Sequence, residues 1–277
     1  MPIKAIRHLR RMRGGAQAHL VEAEDGHFYV VKFLNNAQHP RIVVNEAVGS
    51  MLLEALGLPT PAWEFIELPR EMLREHPEMA IELGPRRQPP EEGWHFGSRY
   101  PGDPAAIAVY DFLPDTLLPK VANLADFLGT LVFDKWVGNA DARQAIFFRA
   151  RLREWNRDEP VHPRKLGFVS VMIDHGFAFN GPHWEYVDAP LQGLYLRKQV
   201  YAPVRSLEDF QPWLDRVVHF PEEFLDRVWR RIPPAWIAGD EEPFERLLEK
   251  LWLRRRRVPD LIADLRDSRA SPFPNWR

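Results

Sequence analysis

Apolar residues recur at helical spacing over 43–56, at Val44, Val48, Met51, Leu52 and Ala55, and Gly57 stands where a left-handed C-cap residue is expected. The spacing predicts a helix from Val43 to Leu56. A second apolar run, Leu124 to Val137 within a helix spanning 122–137, likewise closes on Gly138. Ahead of the first helix the pattern is shorter in period. Residues 3–34 read as strand, loop, strand, strand, with an Asp25-Gly26 hairpin turn between Leu20–Ala23 and Phe28–Phe33. Ala62–Leu68 reads as a further strand after the Pro59 and Pro61 break. Over 69–104 the expectation is a short helix at Arg70–Arg74, a strand at Met79–Leu83 and a long irregular loop to Pro104. Ala105–Tyr110 then reads as an apolar strand entering Asp111-Phe112-Leu113-Pro114.

Beyond Val137 the pattern changes twice. Ala145–Phe148 and Phe168–Ile173 read as strands, with a polar stretch at 150–165 expected as a hairpin tip or disordered turn. From Ser206 the chain turns helical, at Leu207–His219, Pro221–Arg231, Glu242–Arg257 and Pro259–Asp267, and Ser268–Arg277 is expected to be a poorly ordered tail. Strands first and helices last imply an α+β chain.

Composition narrows the function classes. The chain has 277 residues, 45% hydrophobic and 27% charged, which is enough for one large domain or two lobes. A formal net charge of −2 supplies no global basic field for nucleic acid. The absence of cysteine excludes disulfides, thiolate zinc sites and cysteine nucleophiles, and fits a cytoplasmic location. No apolar run approaches the roughly 18 residues that would span a bilayer, and the N-terminus lacks a signal-like apolar core, so no membrane association is expected. No His-x-x-x-His spacing and no Gly-x-Ser-x-Gly elbow support a hydrolase.

Candidate chemistry gathers at two loops. Gly138-Asn139-Ala140-Asp141 follows a helix and precedes a strand, and Asp174-His175-Gly176 ends a strand. Two carboxylates at such positions suit a site that orients a hydroxyl and a metal-bound nucleotide. Upstream, the small-residue turn Gly14-Gly15-Ala16-Gln17 would let backbone N–H groups approach phosphate, or it is an ordinary hairpin. Lys32 is either a phosphate-neutralising cation or a solvated edge residue. Glu46 either complements the dipole of its helix or orients Lys32 by an ion pair. Arg254–Arg257 reads as a basic helix end, with a nucleic-acid patch as the alternative.

In this order, Gly14-Gly15-Ala16, Val-Val-Lys32-Phe, Asn45-Glu46, Leu56-Gly57-Leu58-Pro59-Thr60-Pro61, Tyr110-Asp111-Phe112, Gly138-Asn139-Ala140-Asp141 and Ile173-Asp174-His175-Gly176 resemble the HipA-like kinases. These are a bacterial branch of the protein-kinase-like fold, distantly similar to phosphatidylinositol kinases. The resemblance covers about residues 3–180 and implies a bilobal kinase-like fold, with a β-rich N-lobe over 1–114, a mainly helical C-lobe over 115–267 and a tail. It implies ATP and Mg²⁺ as cofactors and a protein or small-molecule hydroxyl as acceptor. The Gly14–His19 turn, with Gly14, Gly15, Ala16 and Gln17, would cover the phosphates, and Lys32 would hold them and pair with Glu46. Tyr110, Asp111, Phe112 and Leu113 would form the adenine hinge, Asp141 would orient the acceptor hydroxyl, and Asp174 would hold the metal.

The match departs from the family pattern in one informative place. Arg143 occupies the basic position after Asp141, and Ile146 stands where an asparagine usually supplies a second metal ligand. Isoleucine offers magnesium no oxygen. Gln144 and Asn139 are the candidate replacements. Three readings therefore stand: a phosphotransferase, a nucleotide-binding pseudokinase acting as scaffold or regulator, and a nucleic-acid-associated toxin–antitoxin-like component.

Overall fold

A computed structural model describes residues 1–155, 162 and 164–276. Five strands of the N-terminal half close into a barrel. β1 (Ile3–Arg11), β2 (His19–Ala23) and β3 (Phe28–Lys32) run antiparallel in succession. β4 (Trp63–Leu68) returns beside β1 in parallel, after helix α1 (Arg41–Leu56). Helix α2 (Arg70–Glu75), and the two-stranded β5 (Ile81–Leu83) and β6 (Arg86–Gln88), then lead to β7 (Gly93–Arg99), which closes the barrel between β3 and β4. Val21, Val31, Phe33, Ile66 and Leu68 form part of its core. Helix α1 is apolar around most of its circumference and is buried accordingly. Its Val43, Val44, Ala47 and Val48 belong to the larger C-terminal core, so the helix ties the two halves together.

The C-terminal half starts with α3 (Asp126–Val137), buried from Phe127 onward. An antiparallel hairpin follows, β8 (Gln144–Arg151) with β9 (Leu166–Ile173). Its expected tip at 150–165 lies partly outside the described residues. The helices α4 (Trp213–Val218), α5 (Glu222–Arg231), α6 (Glu241–Arg254) and α7 (Val258–Asp267) complete the half. Among the described residues no helix is long and apolar enough to cross a membrane.

Several expected elements are corrected. Ala105–Tyr110 is not a strand: Asp103 takes Ala105 N–H on its side chain (2.8 Å) and Ala106 and Ile107 N–H on its carbonyl, making a turn. Only Tyr110 pairs, as an isolated bridge to Phe147. The supposed irregular loop contains β6 and β7. β7 carries two glycines, and Gly97 is required there because a Cβ would meet Ile66 Cγ1 at 2.3 Å. The expected Leu207–His219 helix is split before α4, with a short 3₁₀ turn at Leu207–Phe210 ahead of Pro212. α6 stops at Arg254, and Arg255–Arg257 form a 3₁₀ turn. The tail is docked: Phe273 is 5% exposed and meets the rings of Tyr201 and Phe210 edge-on. The basic run is no free patch either. Arg254 bonds the Lys135 and Trp136 carbonyls at the end of α3, Arg254 and Arg257 pair with Asp188, and Arg255 lies over Trp252.

Candidate active site

Each site residue is set by a local feature of the chain. α3 ends at Gly138, whose φ of 60° only glycine adopts freely, and the chain reverses there. Asp134, one turn earlier and fully buried, then organises the loop. Asn139 Nδ2 donates to Asp134 Oδ1 (3.0 Å), and Arg143 donates Nε to Oδ2 (2.9 Å) and Nη2 to Oδ1. Asn139 Oδ1 in turn accepts the Asp141 N–H (3.1 Å), and the Asp141 carbonyl accepts Gly193 N–H (3.0 Å). Asp141 is thus held by its backbone, and its exposed side chain accepts the Ala142 N–H on Oδ1 (2.7 Å).

Arg143 continues the chain of contacts to the second loop. It donates Nη1 to the Ile173 carbonyl (2.9 Å) and to His175 Nδ1 (3.0 Å). Because Nδ1 accepts there, the His175 proton sits on Nε2 and is donated to Thr60 Oγ1 (3.2 Å). Burial first, then the Arg143 and Lys32 cations, push the His175 imidazole well below its ordinary range, so it is neutral. Its ring fits against α1 only because residue 49 is glycine: a Cβ there would meet His175 Cβ at 2.6 Å. Asn45 secures the next turn, donating Nδ2 to the Gly176, Ala178 and Gly181 carbonyls (2.8–3.1 Å) and accepting Trp184 Nε1–H (2.8 Å).

These supports hold a three-residue relay. Lys32 Nζ donates to Glu46 Oε1 at 2.5 Å and to Asp174 Oδ1. Glu46 Oε1 also accepts Gly176 N–H (2.8 Å), so one carboxylate fixes both the lysine and the loop. Burial alone would lower the Lys32 pKa, but the Asp174 and Glu46 carboxylates outweigh it and the ammonium is held above its ordinary value. The Lys32 cation correspondingly holds Asp174 below the usual carboxylate range, against the effect of burial. Asp174 has a φ of 58°, a left-handed conformation uncommon for a non-glycine residue. Its side chain is 37% exposed, so the carboxylate that meets Lys32 also reaches the cleft.

The cleft has about 560 Å³ open to water, within the range of nucleotide-sized ligand sites. Lys32, Glu46, Asp174 and His175 line it together with Gly14, Gly15 and Ala16 of the glycine turn and with Asp111, Gln144 and Ile146. Gln144 is the first residue of β8 and pairs with Ile173, which puts it next to Asp174 across the hairpin. Arg10, Arg13 and Arg99 add cationic walls that the sequence pattern did not single out.

Other expected site residues fall elsewhere. Gln17 points its amide at β5, exchanging hydrogen bonds with Glu82 N and O (both 2.8 Å). The Tyr110 backbone is consumed by Phe147 in both directions (2.8 Å each), leaving it no group for an adenine. Phe112 is 61% exposed under the Arg197 guanidinium, and Leu113 is buried with its carbonyl accepting from Arg197 (2.5 Å). Val109 and Asp111 line the cleft, and among the described residues neither backbone is hydrogen-bonded. Asn139 and Arg143 are buried and do not line the cleft, because Asp134 engages both. Asp141 is exposed and also lies outside the cleft walls. Asp134 was the support least visible beforehand. A polar residue in an otherwise apolar helix, Asp134 within Leu-Val-Phe-Asp-Lys-Trp-Val, was the available signal.

A family model for HipA-like kinases matches residues 3–252. The chain belongs to the HipA-like kinase family. Among solved structures, the crystal structure of the Golgi casein kinase is similar at a TM-score of 0.53 and 12% identity, covering 97% of this chain and 74% of that one. At that identity the likeness concerns the fold, a bilobal protein-kinase-like one. A second crystal structure of the Golgi casein kinase, with Mn/ADP bound, aligns at a TM-score of 0.49 and 13% identity over the same shares of the two chains. No curated protein matches the sequence.

Proposed function

We propose that this HipA-like kinase binds ATP with Mg²⁺ in the cleft between barrel and hairpin, and transfers the γ-phosphoryl group to a hydroxyl of a protein or small molecule. The observation that carries the reading is the Glu46–Lys32–Asp174 relay, set beneath the Gly14–Ala16 turn in a cleft of about 560 Å³. Phosphoryl transfer depends on positioning and charge neutralisation, and the relay supplies a fixed cation beside a metal-competent carboxylate. The free backbone groups of Val109 and Asp111 suit an adenine edge. The residues fit the metal: Asp174 and Gln144 both line the cleft and offer oxygen donors, as magnesium prefers. When bound, the ion would neutralise phosphate charge. Asp141, exposed on its braced loop, would orient the acceptor hydroxyl and accept its proton.

The test is a thermal-shift titration with ATP, with and without Mg²⁺, followed by radiolabelled phosphate transfer. A Mg²⁺-dependent rise that vanishes in Asp174→Ala supports the nucleotide site. Asp141→Asn is expected to keep that rise and to lose transfer by about 10²- to 10⁴-fold. Retained turnover in Asp141→Asn would remove the catalytic assignment.

A second reading has one specific observation behind it. Ile146 stands at the usual asparagine position, and Asn139 is committed to Asp134, so Gln144 alone among the named replacements reaches the cleft. If Gln144 does not serve the metal, the chain is a nucleotide-binding pseudokinase. That reading expects an ATP shift indifferent to Mg²⁺ and no transfer.

A further inference from the structure

Away from the cleft, at β1, three side chains converge from two segments far apart in sequence. His8 Nδ1 lies 3.1 Å from Glu78 Oε1, and His76 Nδ1 lies 2.8 Å from the same oxygen. The three candidate ligand atoms all fall within 4.8 Å of one another, and among the described residues no other group of three His, Asp or Glu does so. In a tetrahedral zinc site with bonds near 2.0–2.1 Å, neighbouring ligand atoms sit about 3.3 Å apart, so a short outward relaxation of these side chains admits the ion. Two imidazoles and a carboxylate with an open fourth position form a donor set that zinc accepts.

A second observation points the same way. His8 Nε2 is 2.9 Å from Nδ1 of His19, which is only 1% exposed and stacks on Phe33. In the tautomer that donates Nε2–H to His19 Nδ1, the His8 Nδ1 lone pair is free for an ion beside Glu78. A ligand histidine whose other nitrogen is tied to a buried acceptor is the arrangement that fixes tautomer and ring orientation in metal sites. The His8 side chain is 5% exposed and Glu78 54%, so the ligands run from the interior to solvent and leave an entry path.

We propose that His8, His76 and Glu78 form a zinc site, with His19 as the positioning residue behind His8. The ion would replace the protons that Glu78 shares with the two imidazoles, and would tie the 70–79 segment to β1. The same segment continues into β5, whose Glu82 anchors Gln17 of the glycine turn. The site is thus mechanically linked to the roof of the cleft, but its existence does not depend on any nucleotide.

The test is competition of the full, chelator-stripped chain with a chromophoric chelator for ZnCl₂, with MgCl₂ as the comparison. One Zn²⁺ per chain is expected, with no competition from Mg²⁺. His76→Ala and Glu78→Gln, both at accessible positions, are each expected to weaken binding tenfold or more. His19→Phe keeps the stacking on Phe33 while removing the acceptor, and is expected to weaken it by about 10- to 100-fold. Asp174→Ala is expected to leave it unchanged. In cobalt-substituted protein the visible d–d bands should disappear in His76→Ala. Absence of stoichiometric binding overturns the proposal. So does binding that survives both His76→Ala and Glu78→Gln, or that is lost only in Asp174→Ala, which would assign the ion to the cleft.

Discussion

Lys32 is the residue on which the site turns, because it is held by two carboxylates and nearly sealed from solvent. Removing one partner of a buried ion pair leaves uncompensated charge, so Lys32→Met is expected to lower unfolding stability by on the order of 3 kcal/mol, measured by urea denaturation. The pH dependence has a definite sign. Asp174 has a depressed pKa in the folded chain, so its contribution is full above its ordinary value near 3.8 and is lost as pH falls below it. Lys32 has a raised pKa, so its contribution is full below its ordinary value near 10.5 and is lost only as pH rises past the folded-state value. The destabilisation by Lys32→Met should therefore be flat between about pH 5 and pH 9 and shrink below about pH 4. A steady decline across neutral pH would show that the ion pairs do not hold the fold. At this scale the sequence was legible where the chemistry is local. Lys32, Glu46 and Asp174 each lie at the end or first turns of an element, and the structure joins them. Asp134 and Arg143 were not legible in the same way. A buried carboxylate–guanidinium pair nine residues apart depends on how the chain reverses at Gly138, and composition carries no sign of which arginine goes inside.

At the scale of elements, close packing decides what residue types alone leave open. Gly49 lies inside α1, where alanine is favoured over glycine by about 1 kcal/mol on propensity. The packing says otherwise: a Cβ would press on His175 Cβ at 2.6 Å. Gly49→Ala is expected to destabilise the fold by about 1–3 kcal/mol and to displace the Asp174–Gly176 loop, seen as a lower melting temperature and a smaller ATP-induced shift. A gain in stability would mean that the loop yields easily. The docked tail makes a parallel case. Phe273 fills a pocket among Tyr201 and Phe210, and Phe273→Ala should cost about 3 kcal/mol, whereas a disordered tail would show no change in calorimetry. The helices α1 and α3 were readable because their periodicity is long and each ends in a left-handed glycine. β7 escaped because Gly93 and Gly97 are weak strand formers, the first needed for its φ of 119° and the second for close approach to Ile66 of the neighbouring strand. Ala105–Tyr110 misled for the converse reason: an apolar run with β-branched Ile107 and Val109 lost to a turn held by Asp103.

For the molecule as a whole, the barrel has its own core, and its interior histidines, His19 and His95, make that core sensitive to acid. His95 on β7 is fully buried; its Nδ1 accepts Leu34 N–H (2.9 Å) and its Nε2–H is donated to the Glu91 carbonyl (2.9 Å). Both ring nitrogens are used in the neutral form, and a second proton would face the Leu34 N–H. Burial lowers its pKa to about 4, against an ordinary 6.5. Above pH 6.5 neither the folded nor the unfolded chain protonates the residue, and the fold keeps its full stability. Between 6.5 and about 4 the unfolded chain takes up a proton that the folded one refuses, so stability falls with pH by on the order of 3 kcal/mol and levels off below. Because α1 belongs to the C-terminal core and its Glu46 holds Lys32 of the barrel, loss of the barrel removes the relay as well. Acidification from pH 7 to pH 4.5 is therefore expected to lower the urea midpoint and to weaken nucleotide binding together. In His95→Gln, which keeps an amide donor and acceptor but has no titrating group, the midpoint at pH 7 should drop while its fall on acidification becomes shallower by the share of one proton. An unchanged slope in that variant would place the acid sensitivity in other groups and leave His95 as a hydrogen-bonding residue alone.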